Sequence, residues 1–311
     1  MTYLNVSVII PTVDRPAVRR AVASVLNQTR PPFEIIVVVD SADRTIPPTL
    51  CDVSDKIRLL FSGGIGPGGA RMRGVAEAKG DIIAFLDDDD EWLPEKLERQ
   101  LAAWPTGPEV SAHALVSCRL SIVDRDGRQL TTVPSRLINA HERIPSYLFC
   151  RSSIAGGEGV LHPSTLMCDR ALIDVEPWDI GSFLHEDWDW LLRVGGRSDV
   201  TIRMCPEALA SITPADERSL SGSADWRQSL KWLEQRADQL TPRESGDFLM
   251  YHTGPIAFRS GSRRGGFIAA RRALRYARPN RTAWITWGIH MLSPGLVDYI
   301  LAVRGKIMKD R

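Results

Sequence analysis

The sequence predicts an α/β fold: a doubly wound, mostly parallel sheet with a C-terminal helical extension. Three observations carry that expectation. In the first hundred residues, short apolar runs alternate with runs of helical period, at the pace of βαβ units. The apolar runs are hydrophobic at almost every position, as strands covered on both faces are. Several of them end abruptly in Thr or Asp, which sets polar groups at the carboxyl edge where open parallel sheets bind ligands.

Val6 to Pro11 is a β-branched run stopped by proline, and Arg15 to Gln28 follows with Ala17, Val18, Ala21, Val22 and Val25 at helical spacing. Phe33 to Asp40 is a second strand and Ile57 to Phe61 a third. A glycine-rich turn, Gly63 to Gly69, opens a helix from Ala70 to Lys79, which Gly80 ends. Asp81 to Leu86 is a fourth strand, running into Asp87-Asp88-Asp89-Asp90. Beyond Ser111 the pattern loosens. Ser117 to Val123 and Gly159 to Met167 read as strands, and Asp189 to Val194 as part of a helix. Thr213 to Asp225 reads as a polar loop, followed by helices over Asp225 to Leu240 and Phe267 to Ala277. Thr282 to Val297 is a 16-residue uncharged stretch broken by Ser293-Pro294-Gly295, short of the ~20 residues that span a bilayer.

The chain has 311 residues, 25% charged and 43% hydrophobic. That excludes disordered, collagen-like and coiled-coil classes and leaves room for two domains. Five scattered cysteines without a CxxC pair argue against a disulfide framework or structural zinc and fit a reducing cytosol. The N-terminus lacks the pattern of a secretory signal. The net charge of +1 is unevenly spread. Arg243 to Arg311 holds eleven Arg and two Lys against three Asp and one Glu, a net +9, which leaves −8 on the rest. A basic tail beside Trp284, Ile285, Trp287 and Ile289 suits an anionic membrane surface; its other reading is a cap packed on the rest of the chain. No nucleic-acid motif accompanies the charge.

Adjacent aspartates repel by ~1 kcal/mol per close pair in water and ~4 kcal/mol at an effective dielectric of 20. A hard cation such as Mg²⁺ or Mn²⁺ relieves that cost, whereas an acidic helix start, the other reading, needs only one of the four. A nucleoside diphosphate is the natural ligand of such a metal, with Thr12, Asp14 and Asp40 suited to base and ribose and Arg71 to phosphate. No GxxxxGK[ST] or GxGxxG occurs, which excludes a P-loop and argues against a nicotinamide site. His185-Glu186-Asp187-Trp188-Asp189-Trp190 is either an acidic helix start or the seat of a general base.

In order, VSVIIPTVDR, EIIVVVDSAD, GPGGARMRG, GDIIAFLDDDDEW and HEDWDWLLRV resemble glycosyltransferase family 2 over roughly residues 4 to 222. The resemblance implies a GT-A fold and inverting transfer of one sugar from a nucleotide-diphosphate sugar, a UDP-sugar first, to an acceptor hydroxyl. The implied setting is envelope or extracellular polysaccharide or glycolipid synthesis, with a glycan or lipid-linked glycan as acceptor. It implies a catalytic domain over 1–222, split into a nucleotide half (1–110) and an acceptor half (111–222), with 223–311 as the basic helical region. The expected location is the cytoplasm, at the inner face of the membrane. Carried over by position, Asp187 is the catalytic base. The nucleotide site takes Pro11, Thr12, Asp14 and Arg15, then Asp40, Arg71, Asp87 and Asp88. Asp89 and Asp87 hold Mn²⁺ or Mg²⁺. Glu186, His162, Trp188, Arg218 and Ser221 are candidate acceptor or diphosphate contacts. The chain departs from the family in reading ARMRG where members often have ARNxG, and Gln228-Ser229-Leu230-Lys231-Trp232 only approximates the QxxRW of processive synthases. The alternatives are a sugar-phosphate nucleotidyltransferase and an inactive nucleotide-sugar-binding protein.

Overall fold

A computed structural model of the chain describes residues 4–53, 55–107, 111–124, 126–154, 157–180, 184–213 and 225–293. In chain order the elements are β1 (Val6–Thr12), α1 (Val18–Leu26), β2 (Glu34–Val39), β3 (Arg58–Phe61), α2 (Gly66–Glu77), β4 (Ile82–Phe85) and β5 (Glu91–Trp92). Then come α3 (Lys96–Ala102), β6 (His113–Val123), β7 (Gln129–Val133), α4 (Ile144–Phe149), β8 (Met167–Asp169), α5 (Arg170–Val175), α6 (Glu186–Gly195) and β9 (Val200–Ile212). The remainder is helical: α7 (Trp226–Gln235), α8 (Pro242–Phe248), α9 (Gly254–Arg259), α10 (Arg263–Tyr276) and α11 (Arg281–Leu292).

Two compact units divide these elements, Met1–Val123 with Leu161–Thr213, and Asp124–Val160 with Pro214–Arg311. In the first, the strands run β3-β2-β1-β4-β8-β6-β9-β5. The leading four are parallel, with Ile9 opposite Ile36 and Phe85. Strand β8 then runs antiparallel to β4 and to β6. Parallel pairing of β1, β2 and β4 brings Thr12, Asp40 and the aspartate run to one edge. The strands are as apolar as predicted because both faces are covered: Ile9, Ile10, Ile36, Val37, Ile83 and Phe85 are fully buried. Helix α2 lies close because of Gly74, where a Cβ would stand 2.6 Å from Ile9 Cγ2.

The run from Gly159 to Met167, expected to be a strand, pairs only from Met167. Pro163 opens a short 3-10 turn instead, with the His162 side chain accepting from the Ser164 amide. Three cysteines, Cys118, Cys168 and Cys205, are buried as core residues, whereas Cys51 is exposed.

The second unit gathers residues 124–160 with the C-terminal helices, where the sequence suggests a division at 222. Its packing gives the reason. Glu244, the N3 residue of a capping box with Thr241, also accepts from Arg143 and Ser146 at the start of α4. Phe149 packs edge-on against Trp232 and Phe248.

Gly74→Val should overpack the α2–β1 contact and lower stability by about 1–3 kcal/mol, read as a lower urea midpoint with an unchanged slope. An unchanged midpoint would mean that α2 does not seat on β1 through this glycine.

Candidate active site

The carboxyl edge of β1 is organised by Thr12, whose hydroxyl donates to Asp88 Oδ2 at 2.6 Å and accepts from the Asp14 amide at 3.0 Å. Asp14 adopts φ +63° and accepts from the Thr49 hydroxyl. Arg15 reaches across to Asp88 Oδ1 at 2.6 Å and to Asp89 Oδ2 at 2.8 Å. At the end of β2, Asp40 takes the Ser62 hydroxyl at 2.6 Å and the amides of Ile65 and Gly66, both at 2.8 Å. It thereby holds the start of α2, an anion at a helix N-terminus.

Arg71, on α2, is buried. One arm donates to Asp87 Oδ1 at 2.5 Å, the other to Glu186 Oε1, and the guanidinium carbon lies 4.9 Å from the Trp178 ring centre. Burial works against its charge, but Asp87 and Glu186 outweigh it and hold Arg71 above its ordinary pKa. Burial opposes ionisation of Asp87 too, and Arg71 prevails, keeping that carboxyl below its ordinary value. The sequence casts Arg71 as a phosphate ligand; both its arms are engaged by carboxylates.

The turn after β4 is latched by Ser164, which the sequence does not single out. Its hydroxyl accepts from the Asp87 amide at 3.1 Å and donates to Asp90 Oδ2. Its carbonyl accepts from Trp92 Nε1 at 2.8 Å. His162 Nδ1 lies 3.5 Å from Asp90 Oδ2. Burial pushes Asp90 up to about 7, against the pull of His162. Asp87, Asp90 and His162 each offer a ligand atom within 4.8 Å of the other two. Two carboxylate oxygens and an imidazole nitrogen form a donor set that suits Mn²⁺. Of the two expected metal ligands, Asp87 belongs to this group, while Asp89 is half-buried and faces Arg15.

Helix α6 starts at His185, in left-handed conformation with φ +62°, its ring stacked on Trp188 at 4.5 Å. Burial brings the His185 pKa down to about 3, so the imidazole is neutral at physiological pH. Glu186 Oε2 is buried without a hydrogen-bond partner, and burial pushes the carboxyl up to about 7 despite Arg71. Room for it comes from Gly68, where a Cβ would stand 2.6 Å from Oε2. Asp187 is partly exposed and feels the charges of His162, Arg71 and Asp87; burial raises its pKa above the ordinary aspartate value. Asp189 turns away to Arg193 at 3.1 Å. Trp190 stacks on Trp178 at 5.0 Å and donates to the Glu176 carbonyl. The structure thus brings Arg71, Asp87, His162, Glu186 and Asp187 together, with Thr12, Arg15 and Asp88 beside them. Arg218 and Ser221 lie outside the described residues. Trp178, beneath Arg71, is a residue the sequence reading misses, since nothing local marks it.

Residues 7–174 match the family model described as Glycosyl transferase family 2. Among curated proteins, the chain is similar to the amylovoran biosynthesis glycosyltransferase AmsB of Erwinia amylovora, 28% identical over 81% of this chain and 84% of the relative. It is also similar to the succinoglycan biosynthesis protein ExoO of Rhizobium meliloti, 34% identical over 36% of this chain and 31% of that protein. Among solved structures, TarS 1-349 of S. aureus in complex with UDP-GlcNAc matches with TM-score 0.50 and 16% identity, over 88% of this chain and 91% of that one. The likeness is one of fold.

Arg71→Met should remove about 3–5 kcal/mol of stability by stranding the buried Glu186 and the half-buried Asp87. Without the guanidinium both pKa values rise, so the variant folds best where both groups are protonated. Its deficit against the parent should therefore shrink at about pH 5 and grow by about pH 8. A deficit independent of pH in urea denaturation would refute the clamp.

Proposed function

The chain belongs to glycosyl transferase family 2, and on that premise we propose that it moves one sugar from a nucleotide-diphosphate sugar to an acceptor hydroxyl, with inversion at the anomeric carbon. The proposed setting is assembly of a cell-envelope or extracellular polysaccharide, as the name of the amylovoran relative suggests. The observation that carries the reading is the Arg71 bridge. It holds Asp87, beside the expected metal position, and Glu186, beside the expected base, to one guanidinium. Family membership sets the nucleotidyltransferase alternative aside.

In this reading Thr12, Asp14 and Asp40 receive the nucleoside, and a UDP-sugar is the donor to test first. Asp187 takes the proton of the acceptor hydroxyl as that oxygen attacks the anomeric carbon and the bond to the diphosphate breaks. Its raised pKa makes it a stronger base than a free aspartate. Glu186 lies beside the acceptor in this reading and holds Arg71, with its other oxygen buried against Gly68. Trp188 and His162 are further acceptor contacts. Mn²⁺ or Mg²⁺ would be held by Asp87, joined by Asp89 released from Arg15 or by Asp90 and His162. Bound there, the cation supplies positive charge for the departing diphosphate. The enzyme would act at the inner face of the cytoplasmic membrane on a glycan or lipid-linked glycan. No described helix is long and apolar enough to cross that membrane.

UDP with Mn²⁺ at 100 times its Kd should add ~2.7 kcal/mol, a rise of several degrees in Tm at roughly 2–4 °C per kcal/mol. Omitting the metal should abolish most of that rise; an equal rise without Mn²⁺ would remove the metal from the proposal. Asp187→Asn should lose on the order of 10²–10⁴-fold in kcat and keep the UDP shift, whereas full turnover would overturn the mechanism. The parent's rate should fall as pH drops through the Asp187 pKa, because only the carboxylate accepts the proton. That acid limb should lie above the ~3.9 of a free aspartate.

A further inference from the structure

From Phe248 to Val297 the chain carries eight arginines and neither Asp nor Glu. Seven of the eight, Arg272 being the exception, are exposed. Arg272 pairs with Glu234. Two of the exposed arginines, Arg263 and Arg264, open α10, where the helix dipole disfavours cations. They do not serve the helix that bears them.

The same elements leave large apolar side chains in solvent: Phe267 (55% exposed), Leu274 (52%), Ile285 (48%) and Trp284 (39%). On α10, Arg264, Phe267, Arg271, Leu274 and Arg275 follow i, i+3, i+7, i+10, i+11 spacing and share one face. The exposed aromatics of the two helices meet on one buried indole. Trp287 touches Phe267 at 5.1 Å and Trp284 at 6.0 Å, both edge-on, and donates to the Gly266 carbonyl at 3.1 Å. Phe267 of α10 and Trp284 of α11 thus adjoin through Trp287, with arginines along the same face of α10.

We propose that this α10–α11 face docks on an anionic lipid bilayer, with Phe267, Leu274, Trp284 and Ile285 entering the headgroup region and the arginines meeting lipid phosphates. Guanidinium matches phosphate geometry, and amphipathic aromatics settle at the interface. Nucleic acid would also attract the arginines, but Leu274 and Ile285 offer no face for a base to stack on. The inference deepens the proposed action at a membrane and rests on that reading for its purpose. Docking is measured without nucleotide or acceptor, so its failure and a failure of sugar transfer are distinguishable.

The test is co-sedimentation of the full chain with phosphatidylcholine vesicles, with and without phosphatidylglycerol. Binding should require the anionic lipid and weaken with salt. Phe267→Ser with Trp284→Ser should lower the partition coefficient on the order of tenfold. Arg264→Gln with Arg271→Gln and Arg275→Gln should lower it by about fivefold per charge. Melting curves check that each variant is folded, and the charge variant decides alone if the aromatic one is not. Absence of binding, equal binding to neutral vesicles, folded variants that bind as the parent does, or a preference for single-stranded RNA would each overturn the proposal.

Discussion

The first unit's chemistry depends on one buried cation reaching two carboxylates. Arg71 joins the helix after β3, the turn after β4 and the start of α6, segments 16 and 115 residues away from it in sequence. Only a planar fork presents parallel donors to two partners at once. The surroundings fix the fork further. Trp178 lies under the guanidinium and against Trp190 of α6, and the bare Cα of Gly68 leaves room for Glu186. With Arg71 and Glu186 taken out of water and Asp87 half-buried, the three partners depend on one another, so the spacing of Asp87 and Glu186 is set by a guanidinium's width.

The aspartate run is thereby split four ways. Asp87 turns to Arg71, Asp88 to Thr12 and Arg15, Asp89 outward to Arg15, and Asp90 inward to Ser164 and His162. The repulsion that, in sequence, calls for a cation is met in large part by protein partners. Among the described residues, Asp87, Asp90 and His162 are the three whose ligand atoms already face one another.

The sheet was legible because parallel strands covered on both faces leave long β-branched runs, and their polar ends collect at one edge. Thr12 ends β1, Asp87 follows β4, and Glu186 opens α6. The partners were not legible. Ser164 and Trp178 act through contacts that no periodicity encodes. The expected strand over Gly159 to Met167 failed because a proline and a side-chain cap tightened the chain first. Residues 124–160 carry a weak pattern of their own, and what groups them with the C-terminal helices is Glu244, a capping residue with two further donors from α4.

Asp40 carries a consequence of its own. Three donors already occupy its two oxygens, and a carboxylate has about four lone-pair sites. One more hydroxyl can therefore be accepted without disturbing the helix it anchors. A ribose arriving there would meet a group whose rotamer was fixed when the chain folded, so that part of the ordering cost of association falls on folding rather than on binding. In the proposed reading, selectivity at this position is a matter of stiffness. A sugar whose hydroxyl falls slightly out of line cannot draw the carboxylate toward itself without loosening the first turn of α2, the helix that carries Arg71.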